Sequence, residues 1–274
     1  MKLADVLEVV CRTDPGMVRS HNEDAVFGDA DLGLVILADG MGGYNAGEVA
    51  SGMATSQLAS GLAAAVPACV PQNLDRETGR RVSHRHLREQ IAAANAAIFQ
   101  GAQTQPQYAG MGTTLVMAWF YDNLVTVAHI GDSRLYRLRG EEFQQLTRDH
   151  SLLQEQIDSG MITPEEARFS QNKNLVTRAL GVDPEVEPEI RDYDVVVGDI
   201  YLLCSDGLND MVDDEEISMT LQALSANLSL AAEQLVQMAN DNGGKDNISV
   251  ILVKIRGGFG TPRGWLDKVL AWFK

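Results

Sequence analysis

The sequence predicts an α+β fold in which an antiparallel β-sandwich is flanked by pairs of helices. Apolar runs of strand length follow one another closely, and Asp122-Asn123 separates two of them, as in a hairpin. The helix-favouring stretches come in pairs, 46–66 with 82–104 and 213–224 with 229–242, instead of alternating one for one with strands. This grouping indicates α-β-β-α layers.

Three strands are predicted before the first helix pair. Residues 6–12 alternate loosely between apolar and polar positions and end at Thr13-Asp14-Pro15-Gly16, a turn sequence. A short strand at 25–28 leads to 34–38, where an unbroken aliphatic run predicts a fully buried strand. The helices that follow have small residues throughout 46–66 and an apolar face in 82–104 at Leu87, Ile91, Ala94 and Ile98.

The second half predicts more strands around one polar interruption. The strands are predicted at 113–121, 124–130, 134–139, 143–146, 193–204 and 248–255. Residues 147–184 are polar and mostly helical, and we expect them to form a flap inserted in the β block. We expect one domain over residues 1–256 that includes this flap.

The tail at 257–274 begins with a Gly-rich linker and ends in an amphipathic pattern. On a helix, the large apolar residues of 264–274, Trp265 and Trp272 among them, fall on one face. So short a helix is marginal alone, so its apolar face is expected to dock. The dock is a groove on its own domain, a partner protein or a membrane surface.

The composition excludes some classes of function. The 274 residues include 22 lysines and arginines against 38 aspartates and glutamates, a formal net charge of −16. This balance argues against binding to nucleic acid, which calls for a basic face. Cys11, Cys69 and Cys204 show no paired spacing, and the N-terminus does not resemble a signal peptide. We therefore expect no disulfide framework and a cytoplasmic location.

The stretch LVILADGMGG at 34–43 is the first candidate for chemistry. Asp39 follows a buried strand and precedes three glycines within four residues, which brings bare backbone and negative charge to one point. An unpaired buried carboxylate is costly, so a hard divalent cation held by oxygen is the expected partner. The alternative is that Asp39 caps the next helix, and this stretch alone leaves both interpretations open.

Three further aspartates share this context. Asp132, Asp206 and Asp246 each lie beside a predicted strand end, with a glycine adjacent or nearby. Oxygen ligands without a nearby histidine or cysteine select Mg²⁺ or Mn²⁺ over zinc. Four aspartates of this kind predict a metal cluster. By contrast, Asp210, Asp213 and Asp214 are interpreted as a solvated, helix-capping group.

Seven stretches follow one another in order across residues 7–255: GMVRSHNEDA, VILADGMGGYNAGEVAS, GMGTTL, AHIGDSRLYRL, LTRDHSL, LCSDGLND and GGKDNISVILV. Together they resemble the metal-dependent Ser/Thr protein phosphatases, the PPM or protein phosphatase 2C-like family, in their bacterial form. The fold that this resemblance implies is an antiparallel β-sandwich flanked by helix pairs, in agreement with the pattern of strands and helices.

The resemblance also implies a binuclear Mn²⁺ or Mg²⁺ centre. Asp39 would bridge the two ions, and the carbonyl of Gly40 would complete one of their shells. Asp206 and Asp246 would hold the other ion. Asp132, together with Asp206, would form a third and weaker metal site.

The implied reaction is hydrolysis of phosphoserine and phosphothreonine in proteins by a metal-activated water, opposing a Ser/Thr kinase. Arg19 would bind the substrate phosphate, and Glu23 would steer a metal-bound water; the alternative for Arg19 is a solvated loop cation. Asp24 is given no catalytic role. Met41 stands where some relatives carry a histidine that donates a proton to the leaving group, so that proton would come from metal-bound water or from another residue such as His21, or matter less here.

Two other functions remain open on the same fold. One is a catalytically silent phosphopeptide-binding regulatory module, although silent relatives usually lose the metal aspartates that this chain retains. The other is a phosphatase for a small phosphorylated metabolite, because the metal core is indifferent to what carries the phosphate.

Overall fold

The computed structural model describes residues 2–43, 46–66, 69–163, 166 and 175–261, and these contain eleven strands and six α-helices. The strands are β1 (Leu7–Asp14), β2 (Asp24–Asp29), β3 (Leu34–Met41), β4 (Gly112–Thr113), β5 (Leu115–Tyr121), β6 (Leu124–Ile130), β7 (Arg134–Arg139), β8 (Glu142–Gln145), β9 (Glu189–Asp194), β10 (Ile200–Cys204) and β11 (Ile248–Ile255). The helices are α1 (Ala46–Ala65), α2 (Val82–Thr104), α3 (Leu152–Asp158), α4 (Asp206–Asn209), α5 (Asp214–Ala223) and α6 (Leu228–Asp241).

Two antiparallel sheets form the centre of the molecule. The five-stranded sheet has the order β1-β11-β10-β7-β8. The six-stranded sheet has the order β2-β3-β5-β6-β9, with the short β4 paired to β3. Every pair of neighbouring strands is antiparallel, which confirms the predicted sandwich.

Three apolar layers hold the sandwich and its helices together. Between the sheets, aliphatic side chains such as Val35 and Leu37 of β3 pack against Ile251 of β11 and its neighbours. The opposite face of the six-stranded sheet is covered by α1 and α2, and that of the five-stranded sheet by α5 and α6. This is the predicted α-β-β-α arrangement, and alternate residues of β3 serve two different layers because side chains alternate across a strand.

Two predicted element boundaries are wrong. Residues 193–204 do not form one strand: β9 ends at Asp194 in the six-stranded sheet, and β10 begins at Ile200 in the five-stranded sheet. The turn between them contains Gly198 at a φ of 98°, in the left-handed region that favours glycine. Residues 34–38 are also too short a strand, because β3 continues to Met41. Asp39 therefore lies inside a strand and does not cap α1.

The predicted flap and tail are described only in part. Within 147–184 the structure describes one α-helix, α3, which is capped by the Ser151 side chain, so the described part is less helical than predicted. The predicted C-terminal helix at 264–274 lies outside the described residues. The described start of the tail is bound to the β5–β6 turn, where Phe259 N–H donates to Asn123 Oδ1 at 2.6 Å. Among the described helices, none has the length and apolar character needed to cross a membrane.

Candidate metal centre

Strand register brings three of the predicted aspartates to one edge of the sandwich. Cys204, the last residue of β10, pairs with Arg134 at the start of β7 and with Val250 near the start of β11. Asp206 follows β10, Asp132 precedes β7 and Asp246 precedes β11. All three connections therefore lie at the same end of the five-stranded sheet.

Asp39 reaches this edge from the other sheet, and its backbone is held on both sides. Its N–H donates to Thr114 Oγ1 at 3.1 Å, and its carbonyl accepts from Thr114 N–H and Thr113 Oγ1, both at 2.8 Å. Across the β2–β3 pair Asp39 lies opposite Asp24. These contacts fix the Asp39 main chain through backbone and hydroxyl groups and leave its carboxylate for the cluster.

Burial and nearby negative charge raise the pKa of several carboxylates in the cluster. Burial, followed by the charges of Asp24, Asp206, Asp132 and Asp246, holds the pKa of Asp39 well above its usual range. Burial, the charge of Asp132 and the charges of three other aspartates also raise the pKa of Asp206. Burial and the charge of Asp149 raise the pKa of Asp132 to about 6. Such crowding disfavours the ionised forms, and a bound cation would reverse that effect.

Asp24 is part of this cluster, although the sequence analysis assigns it no catalytic role. Its Oδ2 accepts from Ser205 Oγ at 2.8 Å, whereas its Oδ1 is buried without a hydrogen-bond partner. Burial is the main cause that raises the pKa of Asp24 to about 7. An unpartnered buried carboxylate oxygen beside other hard oxygen donors fits a site for Mg²⁺ or Mn²⁺. The residues present therefore suit the metal ions that the sequence predicts.

Gly40 and Glu23 form the rim of the cluster next to α1. Gly40 N–H donates to the Glu23 carbonyl at 3.1 Å, and Ser51 Oγ donates to the same carbonyl at 2.5 Å. A Cβ on Gly40 would lie 2.2 Å from the carbonyl oxygen of Gly47, so only glycine fits here. Burial raises the pKa of the Glu23 carboxyl, which lies against Gly47. The glycines thus let β3 and the start of α1 approach closely beside the site.

Arg19 lies at the same edge, bound to one of the predicted metal ligands. Its guanidinium donates to Asp246 Oδ2 at 2.7 Å, and this hydrogen bond is the main cause that raises its pKa. About half of the Arg19 side chain is exposed to solvent. The pairing places a guanidinium within reach of any group held at the cluster.

Asn247 is a site residue that the sequence analysis missed. It is 5% exposed, its Oδ1 accepts from Glu23 N–H at 2.8 Å, and its Nδ2 donates to the carbonyls of Pro15 and His21 at 3.0 and 2.9 Å. One side chain thus ties the 15–23 loop to the residue after Asp246. The only sequence signal for this role is that Asn247 directly follows Asp246. That signal is not sufficient, because an asparagine at such a position is also common in an ordinary turn.

A cleft of about 830 Å³ includes Asp132 and Asp206 of the cluster in its lining. Residues of α3, the residues just before α3 and the 209–216 segment line the rest. Its acidic lining includes Asp213, whose side chain caps α5 by accepting from Glu216 N–H at 2.9 Å, as predicted for this residue. The 147–184 segment therefore contributes a wall of the cleft through residues such as Asp149 and Leu153.

All the predicted site residues lie around one edge of the sandwich. Their roles as metal ligands and as phosphate-binding or water-steering groups stay predictions. The residues brought together are Arg19, Glu23, Asp39, Gly40, Asp132, Asp206 and Asp246.

Comparison with known proteins places the chain in one family. The family described as protein phosphatase 2C matches residues 18–250. The serine/threonine protein phosphatase PstP of Mycobacterium tuberculosis is 40% identical over 250 residues, which cover 91% of this chain and 45% of PstP. The protein phosphatase PhpP of Streptococcus pneumoniae is 39% identical over 254 residues, covering 91% of this chain and 98% of PhpP. The chain thus spans about half the length of PstP and nearly all of PhpP.

Solved structures agree with the sequence comparison. The crystal structure of M. tuberculosis PstP/Ppp has a TM-score of 0.81 at 39% identity and covers 92% of this chain and 100% of that one. The catalytic domain of PstP in complex with two manganese ions has a TM-score of 0.78 at 39% identity, with coverage of 92% and 99%. These matches confirm the predicted fold, the predicted family and the enzyme class that the family represents. The chain belongs to the protein phosphatase 2C family.

Proposed function

We propose that this chain hydrolyses phosphoserine and phosphothreonine in proteins at a binuclear Mn²⁺ or Mg²⁺ centre. The observation that carries the proposal is the convergence of Asp39, Asp206 and Asp246 at one edge of the sandwich, with Arg19 bound beside them. The relatives named as protein phosphatases, and the two manganese ions in the PstP structure, support the same activity.

The residues divide into ligands and substrate-handling groups. Asp39, Asp206 and Asp246 would hold the two ions with the Gly40 carbonyl, and Asp132 would join Asp206 at a third site. When bound, two such ions lower the pKa of water and neutralise charge on a phosphoryl group.

Two further residues act on the substrate and on water. The Arg19 guanidinium has five N–H donors in a fork that matches phosphate, and its bond to Asp246 directs that fork to the cluster. The Glu23 carboxylate is held at the rim by its own backbone contacts, where it can orient water.

The cleft supports a protein as the substrate. At about 830 Å³ it is larger than a single phosphorylated side chain requires, and its lining includes Asp132, Asp206 and residues of α3. We propose that the 147–184 segment is a flap that shapes substrate choice through this wall. Amide exchange in α3 faster than in β10 would support a mobile flap, and equal protection would refute it.

Location and partners extend the proposal. We place the protein in the cytoplasm, opposing a Ser/Thr kinase whose products it hydrolyses.

The 257–274 tail would dock through its apolar residues on the domain, on a partner protein or on a membrane surface. Deleting 264–274 separates these: docking on the domain lowers the melting temperature, whereas external docking leaves stability unchanged and abolishes association in a pull-down or liposome assay.

The activity is tested with purified chain stripped of metal and assayed with and without Mn²⁺. We expect release of phosphate from a panel of phosphoserine and phosphothreonine proteins at higher kcat/KM than from free phosphoesters. Asp39→Asn should be inactive, and Asp31→Asn, an exposed aspartate in the β2–β3 turn, is the matched control. Binding of phosphoproteins without hydrolysis would favour the regulatory module, and a preference for small phosphoesters would favour the metabolite phosphatase.

A further inference from the structure

Two histidines stack directly behind the Gly131-Asp132 corner between β6 and β7. The rings of His129 and His150 lie 4.8 Å apart between centroids, with their planes 16° from parallel. Both residues are buried, at 3% and 8% exposure. The sequence analysis assigned no role to either residue, and neither belongs to the set of predicted site residues.

His150 binds both polar backbone groups of Gly131. The ring Nδ1 accepts from Gly131 N–H at 3.1 Å, and the His150 N–H donates to the Gly131 carbonyl at 2.9 Å. Gly131 adopts a φ of 101°, and a Cβ there would lie 2.7 Å from Thr114 Cγ2, so the corner has little freedom to shift. The next residue is Asp132, which lines the cleft.

His129 supports His150 from the other side. Its Nε2 lies 2.8 Å from the carbonyl oxygen of Arg148, two residues before His150. Burial lowers the pKa of both rings, that of His150 to about 4, so both are neutral at physiological pH. A neutral ring can accept the Gly131 N–H, which a protonated imidazolium cannot do.

We propose that His150 is a positioning residue for Asp132. By bonding both polar groups of Gly131, it fixes the corner from which the Asp132 carboxylate reaches the third metal site. The inference rests on the proposed function, because it takes Asp132 as a ligand. Partners that orient metal ligands typically change metal affinity by about 10- to 100-fold when they are removed.

The same side chains also resemble a ligand set for a metal ion, because His129, His150 and Glu189 each offer an atom within 4.8 Å of the others. The tautomer argues against that use. Since Nδ1 of His150 accepts the Gly131 N–H, the ring proton lies on Nε2, which faces Glu189 Oε2 at 3.8 Å. Arg191 binds Glu189 at 2.6 Å and already balances its charge. Positioning therefore explains the contacts better than a metal ion does.

The test is equilibrium Mn²⁺ binding by calorimetry on the full chain, with Asp132→Asn as the reference that loses the weakest ion. Asparagine can place its Oδ1 where His150 Nδ1 lies, whereas glutamine places its polar group where Nε2 lies. We expect His150→Gln to weaken the weakest ion about tenfold or more and His150→Asn to stay within about threefold of wild type. The two tighter ions should be unchanged in both variants.

His129 gives the crossed control, because its contact uses Nε2. Here His129→Gln should be mild and His129→Asn severe, the reverse of the order at His150, which a general loss of packing would not produce. Equal effects of asparagine and glutamine at His150 would overturn the positioning role while leaving the proposed function intact. A Zn²⁺ ion retained by Asp132→Asn and lost in His129→Ala would overturn it in favour of a metal site. A wild-type chain that binds no Mn²⁺ would defeat the proposed function and this inference together.

Discussion

Asp199 and Asp39 are carboxylates in two regions that treat buried charge in opposite ways. Asp199 is 1% exposed and receives a two-pronged contact from Arg139, with Nε–Oδ1 at 2.8 Å and Nη2–Oδ2 at 2.7 Å. Val196 N–H and Tyr201 OH donate to the same carboxylate. Asp39 instead faces Asp24 and lies among further carboxylates.

The difference shows that the chain's own side chains neutralise a buried carboxylate whose role is only structural. A guanidinium fork and two other donors satisfy Asp199, as the cost of burying charge demands. At the cluster, the guanidinium of Arg19 lies at the rim on Asp246, while Asp24 keeps a buried oxygen without a partner. The unbalanced negative charge is therefore best explained by cations that come from solution.

Removal of metal should have the largest effect, and only on the cluster. A chelator in excess should abolish phosphatase activity, and added Mn²⁺ should restore it, because the proposed ligands are hard oxygens. Removal of metal should not affect the region around Asp199, because Arg139 already neutralises that carboxylate. Full activity in excess chelator, measured after dialysis, would contradict the metal centre.

Asp39→Asn and Asp206→Asn should each lower turnover about a thousandfold or more. A metal ion supplies several kcal/mol of transition-state stabilisation, and about 1.4 kcal/mol corresponds to a factor of ten. Without metal, both variants should be at least as stable as wild type, because loss of one charge relieves repulsion. Turnover near wild type in either variant, with Asp31→Asn as the control, would show that the site is misassigned.

Asp199→Asn should lower stability and leave turnover unchanged, the reverse of the effect expected for the two cluster variants. The substitution removes the charge-assisted hydrogen bonds from Arg139, whose side chain is about one third exposed, so the expected cost is about 1.5–3 kcal/mol in the free energy of unfolding. Turnover per folded molecule should stay unchanged, because Asp199 lies outside the cluster. Urea titration measures the loss; a stability equal to that of wild type would remove the contrast between the two regions.

The sequence predicted the cluster because each aspartate lies beside a strand whose apolar run is easy to recognise. The prediction of a single strand over 193–204 was wrong because the local pattern there is ambiguous. The residues of β9, Glu189–Asp194, are mostly polar and do not indicate a strand, and the valines at 195–197 favour a strand where the chain turns at Gly198. Neither the clamp made by Asn247 nor the contact between His150 and Gly131 could be predicted, because both join loops distant in sequence.

Arg19→Ala should have a moderate effect that tests the rim of the cluster. A hydrogen bond to a charged group contributes about 1.5–3 kcal/mol, so KM for a phosphopeptide should rise about tenfold or more. A guanidinium that binds phosphate equally in the ground and transition states changes KM and leaves kcat. Arg19→Lys keeps the charge without the fork and should recover only part of the loss. Unchanged kinetics would indicate that Arg19 is a solvated loop cation without a role in substrate binding.

The smallest effect is a pH dependence of stability in chelator, and it separates the cluster from the rest of the molecule. Burial raises the folded-state pKa of Asp132 to about 6 and that of Asp24 to about 7, against about 3.9 when unfolded. The folded state therefore holds these protons more tightly, so their contribution to stability is complete below about pH 4 and is lost as pH rises through 6 to 7.

The buried histidines act in the opposite direction, because burial lowers the pKa of His129 and His150. Comparing Asp24→Asn with wild type cancels their contribution. The melting temperature of Asp24→Asn minus that of wild type should increase as pH rises from about 4 through 7, because asparagine carries no charge for the other carboxylates to repel. Mn²⁺ should raise the melting temperature of wild type more at pH 8 than at pH 5, since the ion binds the deprotonated carboxylates. A difference between variant and wild type that stays constant over this range would show that Asp24 titrates normally and that the cluster is not electrostatically crowded.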